Sequence, residues 1–249
     1  MREPLPLGPT ALKPDEIRAV SECLRTLRSV RRFQSDDVPA ELIDFVLDHA
    51  VQAGSGKNRQ PWRFVVVREP EVRGEVARWY RATLTRHTAH ADLLDDSQSE
   101  ESAAQIEAAQ RLADHFTEAP VLIVPCFLPI PRNPADFFGG ASIYPAIQNL
   151  LLSARAVGLG ATLTTVHAVD GITYPPAGGT SSVDQLRHIL GIPDSAVPAA
   201  VIPLGYPVRQ STSAGDRLPV RDVTYADAWG RPWRRDRKWW RAFRSGKAA

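Results

Sequence analysis

The sequence contains few cysteines, almost no net charge and no long apolar run. Cys23 and Cys126 are its only cysteines, and a secreted disulfide framework needs more of them at closer spacing. This pair by itself neither supports nor excludes one bridge. Lysine and arginine number 30 against 28 acidic residues, so the net charge of +2 does not indicate a general nucleic-acid binder. No run of about 18 apolar residues occurs, and we therefore expect no membrane-spanning helix.

Several common motifs are also missing. The N-terminal residues lack the apolar segment of a signal peptide, which favours a cytoplasmic protein. Gly56 and Lys57 resemble part of a phosphate-binding loop, but its upstream glycine and its downstream Ser or Thr are absent. Gly158 and Gly160 precede a strand instead of opening a helix, so they form no dinucleotide fingerprint. No G-x-S-x-G elbow indicates a serine hydrolase.

Histidine clusters of the metal-binding type are equally scarce. His87, His90 and Asp92 lie close together in sequence, but no closed ligand set follows them. We therefore predict no metal site and interpret this stretch as a solvated loop. His167 lies beside a Thr-rich segment and could act as a base, but a core or pocket-wall histidine is the favoured interpretation.

The residues that are present form an ordinary globular composition, with 43% apolar and 23% charged residues. Four short apolar runs are typical of strands. They are 64–67, 121–124, 161–166 and 200–204. Because Pro203 lacks an N–H group, we expect the fourth run to lie near a sheet edge or to end early.

Helical patterns outnumber the strands. We predict helices that begin at Pro14, Pro39 and Pro70, the last one reaching about residue 86. Two further apolar helices are predicted around 102–116 and 143–154. Two helices precede the first strand and two separate it from the second, which is not the regular alternation of a doubly wound sheet. This order predicts an α+β fold.

The chain divides into three parts. Residues 1–13 are a Pro-rich arm, 14–228 are the folded domain, and 229–249 are a basic, Trp-rich extension. Within the domain, 81–116 is a candidate lid, because its first half is polar and it lies between two core strands. Four aromatic residues near it would either offer a stacking surface to a ligand or simply pack. They are Trp79, Tyr80, Phe137 and Phe138.

Three segments carry a functional signal, and the first is the basic stretch 28–33. It combines three arginines with Ser29 at the end of the first helix. Guanidinium groups bind phosphate through paired hydrogen bonds, so the stretch suits an anion. A solvated basic helix end, which the helix dipole also favours, explains the same pattern.

The second segment, 55–62, links a helix to a strand. Its glycines let the backbone approach a flat ligand, and Asn58 and Gln60 offer both donors and acceptors. A plain loop that ends in a core tryptophan is the alternative interpretation. The third segment contains Arg217 before a proline, and a single arginine has no specificity by itself.

Taken together and in this order, the segments resemble the FMN-dependent nitroreductase family. The resemblance covers about residues 15–225. It includes the strand that follows Gln60-Pro61-Trp62, the apolar helix that leads to Gly158-Leu159-Gly160, the Thr-rich stretch, and Gly205-Tyr206-Pro207 before Arg217. It implies a nitroreductase-like α+β fold, in which a mainly antiparallel sheet is flanked by helices, and an intertwined homodimer.

The resemblance also implies which residues hold FMN at the subunit interface. They are Arg28, Ser29, Val30 and Arg31 in the first segment, Ser55, Gly56, Asn58 and Gln60 in the loop, Leu163, Thr164 and Thr165 in the Thr-rich stretch, and the late Arg217. Two positions depart from the family pattern, since Leu27 replaces a basic residue and Gly54 replaces a proline. Phosphate binding would then depend more on Arg28 and Arg217, and the loop would be softer.

The function implied by the family is hydride transfer from NADH or NADPH to a small organic acceptor such as a quinone or a nitroaromatic. Such enzymes need no dedicated nucleophile, so no catalytic residue is predicted. Arg31 would favour negative charge on the reduced ring, because an arginine stays charged. The alternatives are a deazaflavin in place of FMN, a flavin-holding sensor without turnover, a flavin-fragmenting or dehalogenating enzyme, and a nucleic-acid-binding protein that uses the basic tail.

The extension 229–249 contains four of the six tryptophans together with many basic residues. As a helix it would place Trp233, Trp240 and Phe243 on one face. We favour packing of this face on the chain's own dimer over contact with acidic lipid or nucleic acid. Partial disorder is the third interpretation.

Overall fold

The computed structural model of the chain describes residues 8–93, 100–129, 137–168, 180–209 and 212–233. The chain forms two units: the larger is Thr26–Thr212, and the smaller consists of Met1–Arg25 together with Ser213–Ala249. The predicted boundaries at residues 13 and 228 stay predictions.

One antiparallel sheet forms the centre of the larger unit. Its strands are β1 (Trp62–Val67), β2 (Val121–Phe127), β3 (Gly160–Ala161), β4 (Val197–Pro198) and β5 (Ile202–Gly205). The strand order is β1-β2-β5-β3, and β4 also pairs with β2. Every one of these strand pairs is antiparallel, which confirms the predicted α+β class and sheet type.

The position of Pro203 contradicts the expected sheet edge. β5 lies between β2 and β3, and Pro203 is directly opposite Leu122. The carbonyl of Pro203 accepts a hydrogen bond from the backbone N–H of Thr162 at 3.4 Å. A proline loses its own N–H but keeps its carbonyl, so it fits inside a sheet where only the acceptor is used.

Helices of the larger unit cover both faces of this sheet. They are α2 (Ala40–Ala50), α3 (Pro70–Leu93), α4 (Glu100–Asp114), α5 (Phe137–Ala156) and α6 (Ser182–Leu190). Helix α1 (Pro14–Thr26) precedes them in the chain, and all of it except Thr26 belongs to the smaller unit. Alternate residues of β2 point to opposite faces, so Leu122 packs with α3 and α6 while Ile123 packs with α2 and α5. Burial on both sides explains why β2 is apolar along its length.

Helix α3 is longer than its sequence pattern predicted. The predicted end near residue 86 is wrong, because α3 continues to Leu93, and α4 begins at Glu100. Polar side chains occur on the exposed face of a helix as well as in loops, which is why polarity alone misplaced this boundary. Residues 94–99 of the candidate lid lie outside the described residues, and closure of a lid stays a prediction.

The smaller unit contains exposed apolar residues. In α1, the side chains of Val20 and Leu24 are more than half exposed. A short 3-10 turn, Val220–Asp222, follows near the other end of the chain. The aromatic rings of Trp229 and Trp233 are exposed as well. Residues 234–249 lie outside the described part, so the interpretations of the Trp-rich extension stay predictions.

The two cysteines are free thiols, Cys23 partly exposed and Cys126 buried in β2. Among the described helices, none combines the length and the apolarity that crossing a bilayer requires.

Candidate functional site

The first predicted segment joins the β3 edge of the sheet. The backbone N–H of Val30 donates to the carbonyl of Ala161 at 3.0 Å, and Ser29 forms an isolated parallel bridge with the same residue. Gly160 makes this approach possible, because a Cβ atom there would lie only 2.6 Å from the Val30 side chain. The pairing therefore places 28–31 beside the chain that continues into 163–165. We call this region, 28–31 with 160–165, the β3 edge.

The Thr-rich stretch is held against β5. Thr164 exchanges two backbone hydrogen bonds with Val201, at 3.1 and 2.9 Å. Regular strand structure ends at Ala161, so most of the predicted strand 161–166 is an extended segment with one further bridge. Leu163, Thr164 and Thr165 are half-buried.

A buried tyrosine from α3 contacts this stretch. The hydroxyl of Tyr80 shares a hydrogen bond with Oγ1 of Thr164, with 3.3 Å between the oxygens. The ring is 1% exposed and stacks on Phe116 with centroids 4.6 Å apart. Burial raises the pKa of Tyr80, while the Thr164 bond and the positive charge of Arg31 act in the opposite direction. Tyr80 therefore stays neutral at physiological pH, and Arg31 is near enough to interact with it.

The aromatic residues of α3 do not form an open stacking surface. Trp79 is 5% exposed, and its indole N–H donates to the carbonyl of Ser182 at 2.9 Å. Tyr80 is enclosed as described above, so packing is the correct interpretation for both. The side chains of Phe137 and Phe138 lie outside the described residues.

The charged and hydroxyl groups of the β3 edge suit an anionic ligand. Arg28 and Arg31 are half-buried, and Ser29 is exposed. One guanidinium nitrogen of Arg28 donates to the carbonyl of Leu27. The cationic side chains lie on the same edge as the hydroxyls of Thr164 and Thr165, and guanidinium and hydroxyl donors together suit a phosphate group.

Arg217 belongs to the smaller unit. Its side chain is exposed, and its guanidinium donates to the carbonyl of Asp216 at 2.7 Å. Its participation in a site with Arg28 stays a prediction.

The second predicted segment is a strained loop before β1. Lys57, Asn58 and Gln60 have φ angles of 54°, 53° and 50°, in the left-handed region. Each non-glycine residue in that region costs about 1–2 kcal/mol. Two bonds to Ser55 compensate, since Asn58 N–H donates to its carbonyl at 2.9 Å and Gln60 N–H to its Oγ at 3.0 Å. The Gln60 amide also donates to Oδ1 of Asn58 at 3.2 Å.

This loop forms one wall of a cavity of about 650 Å³. The opposite wall comes from the first two turns of α5, where a Cβ on Gly139 would lie 2.4 Å from the ring of Phe127. The lining residues are Gly54, Ser55, Gly56, Lys57, Arg59, Pro61, Leu128, Gly139, Ala141 and Ser142. Trp62, which follows the loop, is 5% exposed and belongs to the core.

The sheet separates the loop from the β3 edge. β1 and β3 are the two ends of the strand order, so three inter-strand spacings, about 14 Å, lie between them. The fold therefore unites the first predicted segment with the Thr-rich stretch 163–165 and places the second segment at the opposite edge.

His167 is a core residue. It is 2% exposed, and its Nε2 lies 3.0 Å from the carbonyl of Pro198. Nδ1 is buried with no partner in the described part of the chain. Burial lowers the pKa of His167, so the ring is neutral at pH 7. This agrees with the favoured sequence interpretation.

Sequence reasoning missed two contributors to these regions, Lys57 and Arg59, and it named Tyr80 without predicting the contact that its hydroxyl makes. Tyr80 lies 84 positions from Thr164, and no local pattern signals their contact. Lys57 and Arg59 line the cavity but were passed over in favour of their polar neighbours. Two cationic residues in a loop with glycines were the available signal for an anion site.

Comparison with known proteins identifies relatives over most of the chain. The nitroreductase family profile matches residues 24–206. A Methanothermobacter thermautotrophicus protein named NADH dehydrogenase/NAD(P)H nitroreductase is 31% identical over 189 residues, 76% of this chain and 77% of that protein. Iodotyrosine deiodinase 1 of Mus musculus is 26% identical over 219 residues, 84% of this chain and 71% of that protein.

A solved structure shares the fold. It is a nitroreductase with bound FMN from Desulfitobacterium hafniense, with a TM-score of 0.61 and 19% identity. The alignment covers 84% of this chain and 98% of that one.

Proposed function

The chain belongs to the nitroreductase family, and from this we propose that it is an FMN-dependent oxidoreductase. It would transfer hydride from NADH or NADPH to a small organic acceptor such as a quinone or a nitroaromatic. One observation carries the proposal: the Val30–Ala161 hydrogen bond unites the arginines of 28–31 with the hydroxyls of 163–165. The bound FMN named for the relative from D. hafniense supports the same cofactor.

The residues of the β3 edge fit FMN. Arg28 and Ser29 would bind its phosphate, and the backbone and hydroxyls of Thr164 and Thr165 would face its ring. Bound FMN would supply the two-electron chemistry that a protein side chain cannot perform. The proposed contribution of the chain is to hold the ring, exclude water and set the local charge.

Arg31 is the residue with the clearest electrostatic role in this proposal. Its charge is permanent, and it acts on the buried hydroxyl of Tyr80. Tyr80 in turn contacts Thr164, so the cation and the hydroxyl belong to one connected group. A bound ring that gains negative charge beside Arg31 would be stabilised by that group.

A homodimer completes the proposed site. Ser55, Gly56, Asn58 and Gln60 lie at the opposite sheet edge, and a second copy would bring its loop to the β3 edge. Several large apolar side chains of the smaller unit are exposed, and we expect a partner copy to cover them. They are Val20, Leu24, Leu218, Val220 and Trp229. Arg217 would then contribute to the phosphate site of the dimer.

The first experiment is to purify the protein, record its visible spectrum and identify the extracted chromophore by mass. We expect FMN, dimeric mass in solution, and NADPH or NADH oxidation that depends on menadione or a nitroaromatic. A colourless protein that takes up neither FMN nor a deazaflavin would refute the proposal. Bound FMN without any turnover would favour a sensor.

A matched pair of variants tests the assigned site. Arg31→Gln should weaken FMN binding about tenfold or more, because a charge-assisted hydrogen bond contributes about 1.5–3 kcal/mol. Arg32→Gln is the control, since Arg32 is adjacent but exposed. Equal FMN affinity for both variants, measured by fluorescence titration, would contradict the assignment.

Reductive dehalogenation is the second candidate function, and the similarity to the mouse iodotyrosine deiodinase favours it. Incubation of the reduced protein with an iodinated phenol, followed by measurement of iodide, tests it directly. Release of iodide faster than reduction of a nitroaromatic would make dehalogenation the preferred activity.

A further inference from the structure

The cavity beside the 54–60 loop has two cationic residues among its described lining residues. Lys57 and Arg59 line it, and none of its described lining residues is acidic. In the described part of the chain, neither side chain pairs with a carboxylate. Residues from the first two turns of α5 form the facing wall, and the N-terminal end of a helix has the same positive sign. A cavity with this field attracts anions.

The strained backbone of the loop fixes the chain positions from which the side chains of Lys57 and Arg59 extend. Lys57 is left-handed at φ 54°, and the left-handed Asn58 and Gln60 lie on either side of Arg59. The three bonds among Ser55, Asn58 and Gln60 connect the ends of this stretch. Strained backbone of this kind is concentrated at active sites and ligand-binding sites.

Apart from Ser55 and Ser142, the remaining lining residues of the cavity are apolar or glycine. Pro61, Leu128 and Ala141 line it with apolar side chains, and Gly139 lines it with backbone that packs closely against the ring of Phe127. A planar ring fits such a surface, and an acidic substituent on the ring would reach the cations. The volume of about 650 Å³ lies within the usual range for small-molecule sites.

We propose that this cavity binds the anionic group of a substrate through Lys57 and Arg59. The inference rests on the proposed function and specifies its substrate class, because the loop belongs to the predicted flavin site. The anionic group is either the carboxylate of an aromatic acceptor or the 2′-phosphate of NADPH. Neither Lys57 nor Arg59 is among the predicted FMN contacts. Their proposed role is therefore to bind the substrate and to favour anionic substrates over neutral ones.

The first arm of the test varies the charge of the acceptor. Binding of 4-nitrobenzoate and of neutral 4-nitrobenzamide is measured by isothermal titration calorimetry on the purified full-length protein, and kcat/KM is measured for both with saturating NADH. The second arm compares NADPH with NADH as donors to neutral menadione. We expect at least a tenfold preference in kcat/KM either for 4-nitrobenzoate over 4-nitrobenzamide or for NADPH over NADH.

Variants connect that preference to the two cations. In the Lys57→Gln/Arg59→Gln double variant the preference should fall about tenfold, toward one. Arg63→Gln is the matched control, because Arg63 is exposed next to the loop but does not line the cavity. It should keep the wild-type preference. FMN content measured on each sample verifies that the variants are folded.

Two outcomes would overturn the inference. One is equal kcat/KM for 4-nitrobenzoate and 4-nitrobenzamide together with equal kcat/KM for NADPH and NADH. The other is a preference that remains unchanged in the double variant. A preference in the first arm identifies the acceptor carboxylate as the ligand, and one in the second arm identifies the nucleotide phosphate. Failure of the proposed function can be told apart from failure of this inference. The first would appear as a protein without FMN and without menadione turnover. In that case the calorimetric titration with 4-nitrobenzoate still measures anion binding in the cavity.

Discussion

The β3 edge and the 54–60 loop carry the two largest groups of predicted site residues, and they are built in different ways. At the β3 edge, backbone hydrogen bonds to Ala161 and Val201 hold the chain, with a glycine at the point of closest approach. In the loop, side-chain and backbone groups of Ser55, Asn58 and Gln60 hold three left-handed residues.

This difference predicts opposite responses to mutation. The β3 edge is close-packed, so added volume should be strongly destabilising and should separate its two segments. The loop is exposed and strained, so removal of a side chain should release strain at little loss of packing. Substitutions in one region and matched substitutions in the other can test the comparison directly.

The largest effect is expected from Gly160→Ala. The new methyl group would overlap the Val30 side chain at 2.6 Å and push 28–31 away from β3. We expect the free energy of unfolding to fall by about 2–3 kcal/mol, together with loss of FMN binding. Urea denaturation and flavin titration measure the two effects.

Gly56→Ala in the loop is the matched control for this substitution. A Cβ there meets no heavy atom within 4 Å. Its free energy of unfolding should change by no more than about 0.5 kcal/mol. Equal unfolding midpoints for the two variants would contradict the described packing of the β3 edge.

Tyr80→Phe tests the polar contact behind the edge. The ring and its stacking on Phe116 remain, while the bond to Thr164 is lost, so we expect a loss of about 1 kcal/mol in stability. The visible absorption of bound flavin should also shift, because Thr164 loses the partner that orients its hydroxyl. Tyr144→Phe is the control, since its hydroxyl bonds to the carbonyl of Ala199 instead. An unchanged flavin spectrum in Tyr80→Phe would remove Tyr80 from the site.

Replacement of Lys57 and of Arg59 by glycine should change stability in opposite directions. Glycine adopts the left-handed conformation of Lys57 without strain, so Lys57→Gly should stabilise the fold by about 0.5 kcal/mol after the entropic loss. Arg59 has a φ of −70°, where glycine only adds freedom to the unfolded chain. Arg59→Gly should therefore destabilise by about 0.5–1 kcal/mol. Changes of the same sign in urea denaturation would show that the loop is not strained.

The smallest effect concerns pH and His167. Because burial lowers its folded-state pKa, the unfolded chain binds a proton more readily than the folded one below the unfolded value of about 6.5. The stability that His167 contributes is complete above that pH and is lost as the pH falls toward the folded pKa. Unfolding curves at several pH values should therefore show a shallower decline with acid for His167→Gln than for the wild type. Parallel declines would indicate that His167 does not titrate as described.

Much of the fold could be predicted from local pattern. Apolar runs located four of the strands at least in part, and their order relative to the helices identified the α+β class. The errors came from features that depend on neighbours. Pro203 proved to be inside the sheet because only its carbonyl is used there, and α3 continued past residue 86 because polar residues also cover an exposed helix face.

The segments of the candidate site could also be predicted from the sequence, but the contacts between them could not. Arginines, threonines and glycines at characteristic spacing drew attention to 28–31, to the loop and to the Thr-rich stretch, and the structure places 28–31 beside the Thr-rich stretch. Their contact depends on an N–H of Val30 and a carbonyl of Ala161, groups that every residue possesses and that leave no trace in the sequence. Tyr80 was left open between stacking on a ligand and packing, and Lys57 and Arg59 were not singled out within the loop.

The sequence by itself determined which chemical groups are available and which short segments are helical or extended, because these properties depend on side-chain type and local periodicity. Only the tertiary structure decided that β1 and β3 form opposite edges of one sheet, which unites 28–31 with 163–165 and sets the loop apart. The physical reason is that strand order depends on backbone hydrogen bonds between distant residues and on the burial of both sheet faces, and neither is encoded within a local window of sequence.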